Sequence, residues 1–233
     1  MEQPFNNIML TMSSLPASQT ADTTTALLFP SFQRLPAIPH TPSGFSALAS
    51  AYLKAPTLHA MHASLSPAQK ALLTRDESAA SSIPAPEPIT RITVLICGHG
   101  GRDERCGIMG PLLRSSFTDE FERRGVDADV GLISHIGGHK FAGNVILYVP
   151  PGLALGGSAN ALAGCGVWYG RVGPEHVEGV VEETVVKGRV IEELFRGGIT
   201  KDGGMLGRML EAQMKKDRGE DEEVLKLKPR ARR

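Results

Sequence analysis

ITVLICGHGGRDERCGIMGPLLRSSFTDEFERRGVDADVGLIS, residues 92–134, is the stretch that decides the fold. ITVLIC (92–97) is a short apolar run, rich in β-branched residues, that ends at glycines, the pattern of a buried strand. GIMGPLLRSSFTDEFERRG (107–125) reads as a helix. Pro111 suits a first turn, Leu113, Phe117 and Phe121 share a face, and Gly125 stops it. DADVGLIS (127–134) is a second strand. Downstream, GNVILYVP (143–150) and GVWYGRV (166–172) read as a third and a fourth strand. A Gly- and Ala-rich loop or hairpin excursion (151–166) separates them. Pro174 then opens a helix with acids near its start and Lys187 near its end, as the helix dipole favours. A βαβ unit followed by ββα predicts an α/β domain with the outline of a thioredoxin-like fold.

The flanks read differently. Residues 1–44 hold Ser, Thr and Pro runs with only Glu2, Asp22 and Arg34 charged, a composition expected to stay largely disordered. Residues 45–90 read as a helical remnant followed by a Pro/Ser-rich linker, with Ser66-Pro67 starting one helical piece. The working domain is expected over 91–200, and a charged helical tail over 201–233.

Composition narrows the function classes. Among 233 residues, 25 basic and 25 acidic side chains cancel, which leaves no net field to attract nucleic acid. No apolar run approaches the ~20 residues that a membrane-spanning helix needs, so no membrane span is expected. Three cysteines are too few for a disulfide framework. The glycines at 98–101 lack the spacing of a nucleotide-binding loop.

Four residues carry the candidate chemistry: Cys97, Cys106, His135 and His139. Cys97 ends the first predicted strand and is separated from Cys106 by eight residues across a Gly-rich loop. His135 ends the second strand in SHIGGHKFAGN and is separated from His139 by three residues. The two glycines between the histidines disfavour a continuous helix, each costing about 1 kcal/mol relative to Ala. In a parallel βαβ unit both strand ends lie at one sheet edge, where the two pairs can converge. Two thiolates and two imidazoles suit a tetrahedral zinc ion or a two-iron, two-sulfur cluster. The spacing matches neither the short cysteine pairs of zinc fingers nor a Rieske motif. A thiol–disulfide pair of Cys97 and Cys106 is a third reading, although no Cys-x-x-Cys is present.

The blocks CGHGGRDERCGIMGPLL, SHIGGHKFAGNVILY and VWYGRVGPEHVEGVV closely resemble the sucrase/ferredoxin-like family over about residues 91–200. The resemblance implies a thioredoxin-like ferredoxin domain carrying a [2Fe-2S] cluster on Cys97, Cys106, His135 and His139. It also implies one-electron transfer, redox sensing or thiol redox homeostasis with unidentified redox partner proteins, and a mitochondrial setting, with a cytoplasmic one as the alternative. Arg34 is the only arginine before residue 44, so no classical transit peptide is visible. The chain departs from the family pattern in its short region before residue 90 and in a loop at 151–166 that contains Cys165. Among the remaining candidates, His99 reads as a solvated loop residue and Cys165 as a thiol outside the ligand set. Arg102, Asp103 and Arg105 are expected to order the loop by local ion pairing, and Trp168 and Tyr169 to pack in the core.

Overall fold

The computed structural model describes residues 8–134, 136, 141–155 and 157–219. A hairpin of β1 (Thr23–Leu28) and β2 (Gln33–Pro39) comes first, followed by the helices α1 (Pro42–Leu48) and α2 (Pro67–Leu73). A two-residue strand, β3 (Glu87–Pro88), pairs back onto β2. The chain then runs through β4 (Ile92–Cys97), α3 (Glu104–Arg124), β5 (Ala128–Ile133) and β6 (Val145–Tyr148). A small hairpin of β7 (Ala154–Leu155) and β8 (Ser158–Ala159) precedes β9 (Gly166–Tyr169). The last elements are α4 (Val177–Val180), β10 (Phe195–Ile199) and α5 (Gly207–Asp217).

The main sheet has the order β10-β9-β6-β4-β5. β5 pairs parallel to β4, while β6 is antiparallel to both β4 and β9. The first four strands of the unit therefore lie in the order second, first, third, fourth, with the third reversed. That is the thioredoxin-like α/β arrangement expected from residues 92–188. β4 is central and every one of its residues is buried. Ile92, Val94 and Ile96 pack with Leu113, Phe117 and Phe121 of α3 and with Val177 and Val180 of α4, forming the main core. Leu95 faces the opposite way, with Ile133, Ile146 and Tyr148.

Three expectations change. α3 starts at Glu104, because the Asp103 side chain accepts the Arg105 N–H and caps the helix. Pro111 consequently lies inside the helix, not in its first turn. Gly125 ends it as expected, in a left-handed conformation with φ of 62°. The fifth strand, β10, is unannounced in the sequence because FRGGI carries two glycines, poor strand formers.

The third correction concerns residues 1–44, read as largely disordered, which are structured from β1 onward. Leu35 and Ile38 of β2 are fully buried against Ala47 and Ile83. Phe29 and Phe32, in the β1–β2 turn, cover the sheet's second face. The Phe29 ring stacks on Tyr148 with centroids 3.7 Å apart. Further upstream, Ser14 N–H donates to the Leu132 carbonyl (2.8 Å) and Ser134 N–H to that of Met12 (2.9 Å), so the chain lines the outer edge of β5. A sheet with two apolar faces needs a second cover, and the hairpin supplies it. Within the stretch read as a linker, Ile83 and Ile89 are buried for the same reason.

If this unit is folded, Leu35→Ala lowers unfolding free energy by about 2–5 kcal/mol. Urea denaturation followed by far-ultraviolet circular dichroism measures it. No change would return residues 23–44 to a disordered extension.

Candidate metal centre

β4 and β5 are in register with Cys97 opposite Ile133, so both strand ends and the loops that follow emerge at one sheet edge. Cys97 is the last residue of β4 and Cys106 the third of α3. The two thiols are 1% and 0% exposed, and they share a side-chain hydrogen bond. No disulfide joins them. The structure thus brings the predicted cysteine pair together.

Glycine makes that meeting possible. A Cβ on Gly107 would stand 2.7 Å from the Gly100 Cα, and one on Gly110 would stand 2.8 Å from the Gly98 Cα. The loop backbone after Cys97 therefore lies directly on the first two turns of α3, an approach that side chains would block. Gly98 N–H donates to the Ile133 carbonyl (3.1 Å), and the Arg102 and Asp103 N–H groups donate to that of His99 (3.0 and 3.1 Å). Arg105 clasps Asp103 through two side-chain bonds of 3.1 and 2.8 Å, the loop-ordering role expected of these residues. His99 is exposed.

His135 and His139 lie outside the described residues. What the structure does place is the chain on either side of them. Ser134 is held at the end of β5 by Met12, whose N–H donates to Ser134 Oγ at 3.1 Å. On the far side, the Phe141 ring lies under the Arg196 guanidinium. Among the described residues, no three metal-ligating side chains gather around one point. The cysteines are half of the expected set.

Sequence reasoning missed Asn144 and Arg196. Asn144, the residue before β6, is 1% exposed, and its carbonyl accepts the Cys97 N–H at 3.0 Å, one residue beyond the Ile96↔Val145 pair. Its Oδ1 accepts a hydrogen bond from Arg196, and its Nδ2 has no partner among the described residues. A buried amide N–H without a partner is costly, so this orphan marks a place where an acceptor belongs. An asparagine at a strand entrance carries no sequence signal of such a role. Cys165 packs in the main core, where burial pushes its thiol up. Trp168 and Tyr169 also pack inside, on opposite faces of β9.

The model of the family described as Sucrase/ferredoxin-like matches residues 1–197. Two proteins named "Altered inheritance of mitochondria protein 32", from Clavispora lusitaniae and Debaryomyces hansenii, are 50% and 45% identical to this chain over 113 residues. The alignments cover 47% and 48% of this chain but only 36% and 38% of those proteins. Among solved structures, a thioredoxin-like [2Fe-2S] ferredoxin from Aquifex aeolicus matches with 19% identity and a TM-score of 0.34, covering 45% of this chain and 89% of that one.

Burial, and then the neighbouring Cys97 sulfur, pushes the Cys106 thiol up from 9.0 to about 11. The metal-free folded state thus holds this proton more tightly than the unfolded chain does. The associated stability is present below pH 9.0 and is lost as pH rises through about 11. Tyr148, pushed up to about 12 by burial, adds a later decline of its own. Urea titrations of the metal-free protein from pH 8 to 11 should show Cys106→Ala losing stability less steeply than wild type. Parallel slopes would contradict the burial.

Proposed function

This chain belongs to the sucrase/ferredoxin-like family, and on that premise we propose that it is an iron–sulfur protein. It holds a [2Fe-2S] cluster on Cys97, Cys106, His135 and His139 and serves one-electron transfer, redox sensing or thiol redox homeostasis. The observation that carries the reading is the meeting of two buried thiols, in hydrogen-bond contact, beside an orphaned amide donor.

The residues present fit such a group. The thiols supply two soft donors, and Asn144 Nδ2 offers a hydrogen bond to an inorganic or cysteinyl sulfur. The glycine-lined loop leaves backbone N–H groups near the cysteines without side chains to crowd them. When bound, the cluster supplies a couple that takes up and releases one electron. The chain's own part is to exclude water from Cys97 and Cys106 and to set the surrounding charge. Neutral imidazoles in place of two thiolates would make the centre less negative and raise its potential. Histidine-ligated Rieske centres lie at about −150 to +300 mV, against about −400 mV for plant-type ferredoxins. With His135 and His139 as ligands, the ring nitrogens not bound to iron would release protons more readily in the oxidised state. The potential should therefore fall as pH rises.

A thiol–disulfide function fits less well, because exchange needs a thiolate that an incoming disulfide can reach, and both sulfurs are shielded from solvent. The name of the relatives refers to inheritance of mitochondria, and a mitochondrial location is part of the proposal. Electron donor and acceptor proteins are its implied partners.

Anaerobic purification with iron and acid-labile sulfide counted, together with a visible spectrum, tests the assignment. Two irons and two sulfides per chain are expected. A colourless zinc protein, or a metal-free one with a reducible Cys97–Cys106 disulfide, would replace it. His135→Cys and His139→Cys should each lower the potential and flatten its pH dependence. An unaltered spectrum in both variants would remove the histidines from the ligand set.

A further inference from the structure

Arg196 is the extra residue of a β-bulge. β10 pairs with β9 through Phe195↔Tyr169 and then Gly197↔Trp168, which leaves Arg196 without an opposite partner. A bulge re-aims the side chain it carries, and such bulges concentrate beside functional sites. The re-aimed side chain crosses the sheet end instead of standing in the alternation of Phe195 and Ile199.

Its path is built around it. A Cβ on Gly170 would lie 2.5 Å from the Arg196 Cδ and 3.1 Å from its Cγ, so the absence of a side chain at Gly170 makes the slot for the arginine stem. The guanidinium carbon sits 4.1 Å from the centroid of the Phe141 ring, a cation–π contact. Its Nη1 donates to Oδ1 of buried Asn144. The Asn144 carbonyl in turn accepts the Cys97 N–H, and continuing the antiparallel register by one residue beyond Ile96↔Val145 sets Asn144 opposite Cys97, where facing side chains emerge on the same side of the sheet. Among the described residues no carboxylate forms an ion pair with Arg196. Burial pushes the Arg196 guanidinium down, and negative charge on the Cys97 sulfur would counter that.

We propose that Arg196 is a positioning residue for the redox centre. It holds a fixed cation beside Cys97 and orients the Asn144 amide so that Nδ2 is left to donate to a sulfur of the centre. This rests on the iron–sulfur reading above and adds to it the device that sets the charge balance. Reduction adds one electron, supplied by an electrode or a one-electron donor, and therefore one negative charge. A guanidinium stays protonated throughout, so it favours the reduced form. The hydrogen bond that it leaves to the Asn144 amide acts in the same direction.

The test is a redox titration of the anaerobically purified protein, followed by visible absorption, with iron and sulfide counted in every variant. Arg196→Gln should keep its iron and sulfide and shift the reduction equilibrium about tenfold toward the oxidised form, about 59 mV for one electron. Arg196→Lys, which retains the charge, should fall closer to wild type than to Arg196→Gln. Gly170→Ala, which displaces the stem without altering any charge, should lower the potential too, and it carries the test if Arg196→Gln does not fold. Arg171 lies over the same ring at 5.6 Å but is exposed, and Arg171→Gln should stay near wild type.

Potentials for Arg196→Gln and Gly170→Ala equal to wild type, with clusters intact, would overturn the role of Arg196 and leave the cluster assignment standing. So would an Arg171→Gln shift as large as that of Arg196→Gln. Wild-type protein without iron and sulfide would instead overturn the assignment itself, and this inference with it.

Discussion

The contact on which the site depends is backbone against backbone. The loop after β4 lies on the start of α3 so closely that Gly107 and Gly110 leave no room for a Cβ. That approach carries Cys106, in the first helical turn, up to Cys97 at the strand end. Asp103 holds the turn from outside by capping the helix and pairing with Arg105. A helix starting three residues later, at the point its apolar pattern suggests, would leave Cys106 on a free loop. The capped start instead makes it a rigid partner for Cys97, shielded from water.

The sheet supplies the platform, and its demand for two covers explains the rest of the chain. α3 and α4 cover one face. They are also tied by charge: Arg124 bridges the nearly buried Glu120 of its own helix to Glu182, just beyond α4. Past α4 the helix widens into a π turn. There Asn160 donates to the Thr184 and Val185 carbonyls (3.1 and 2.7 Å), so the Gly- and Ala-rich excursion pins that end of the helix. The other face is closed by the β1–β2 hairpin, with Phe29 stacked on Tyr148. The N-terminal region is part of the domain's packing, and its polar edge also lines β5 up to Ser134, the residue before His135.

How much of this was legible depends on how local the physics is. β4 could be read residue for residue from ITVLIC, because a strand buried on both faces leaves a continuous apolar signature. The order of β4, α3, β5, β6, β9 and the helix that follows could be read as well, since it needs only periodicity and breakers. The start of α3 could not. Pro111 is a common first-turn residue, but the actual start is set by a side-chain cap that competes with it only in three dimensions. The N-terminal hairpin was hidden because its Ser-, Thr- and Pro-rich composition resembles a disordered segment. A few apolar residues, Phe29, Phe32, Leu35 and Ile38, suffice when a prebuilt apolar face waits for them.

Residue pattern alone gave the α/β class and the thioredoxin-like order of its central elements, and it singled out Cys97, Cys106, His135 and His139 as candidates for the chemistry. Each follows from short-range pattern: alternation, helical spacing, glycine placement and residue type. Only the tertiary structure decided that the two thiols touch, that Asn144 stands across from Cys97, and that Arg196 is turned toward the same point by a bulge. Those relations join residues from β4, α3, β6 and β10, as far apart as positions 97 and 196. No local pattern encodes which strand lies beside which, because that is settled by how the whole chain buries its two apolar faces.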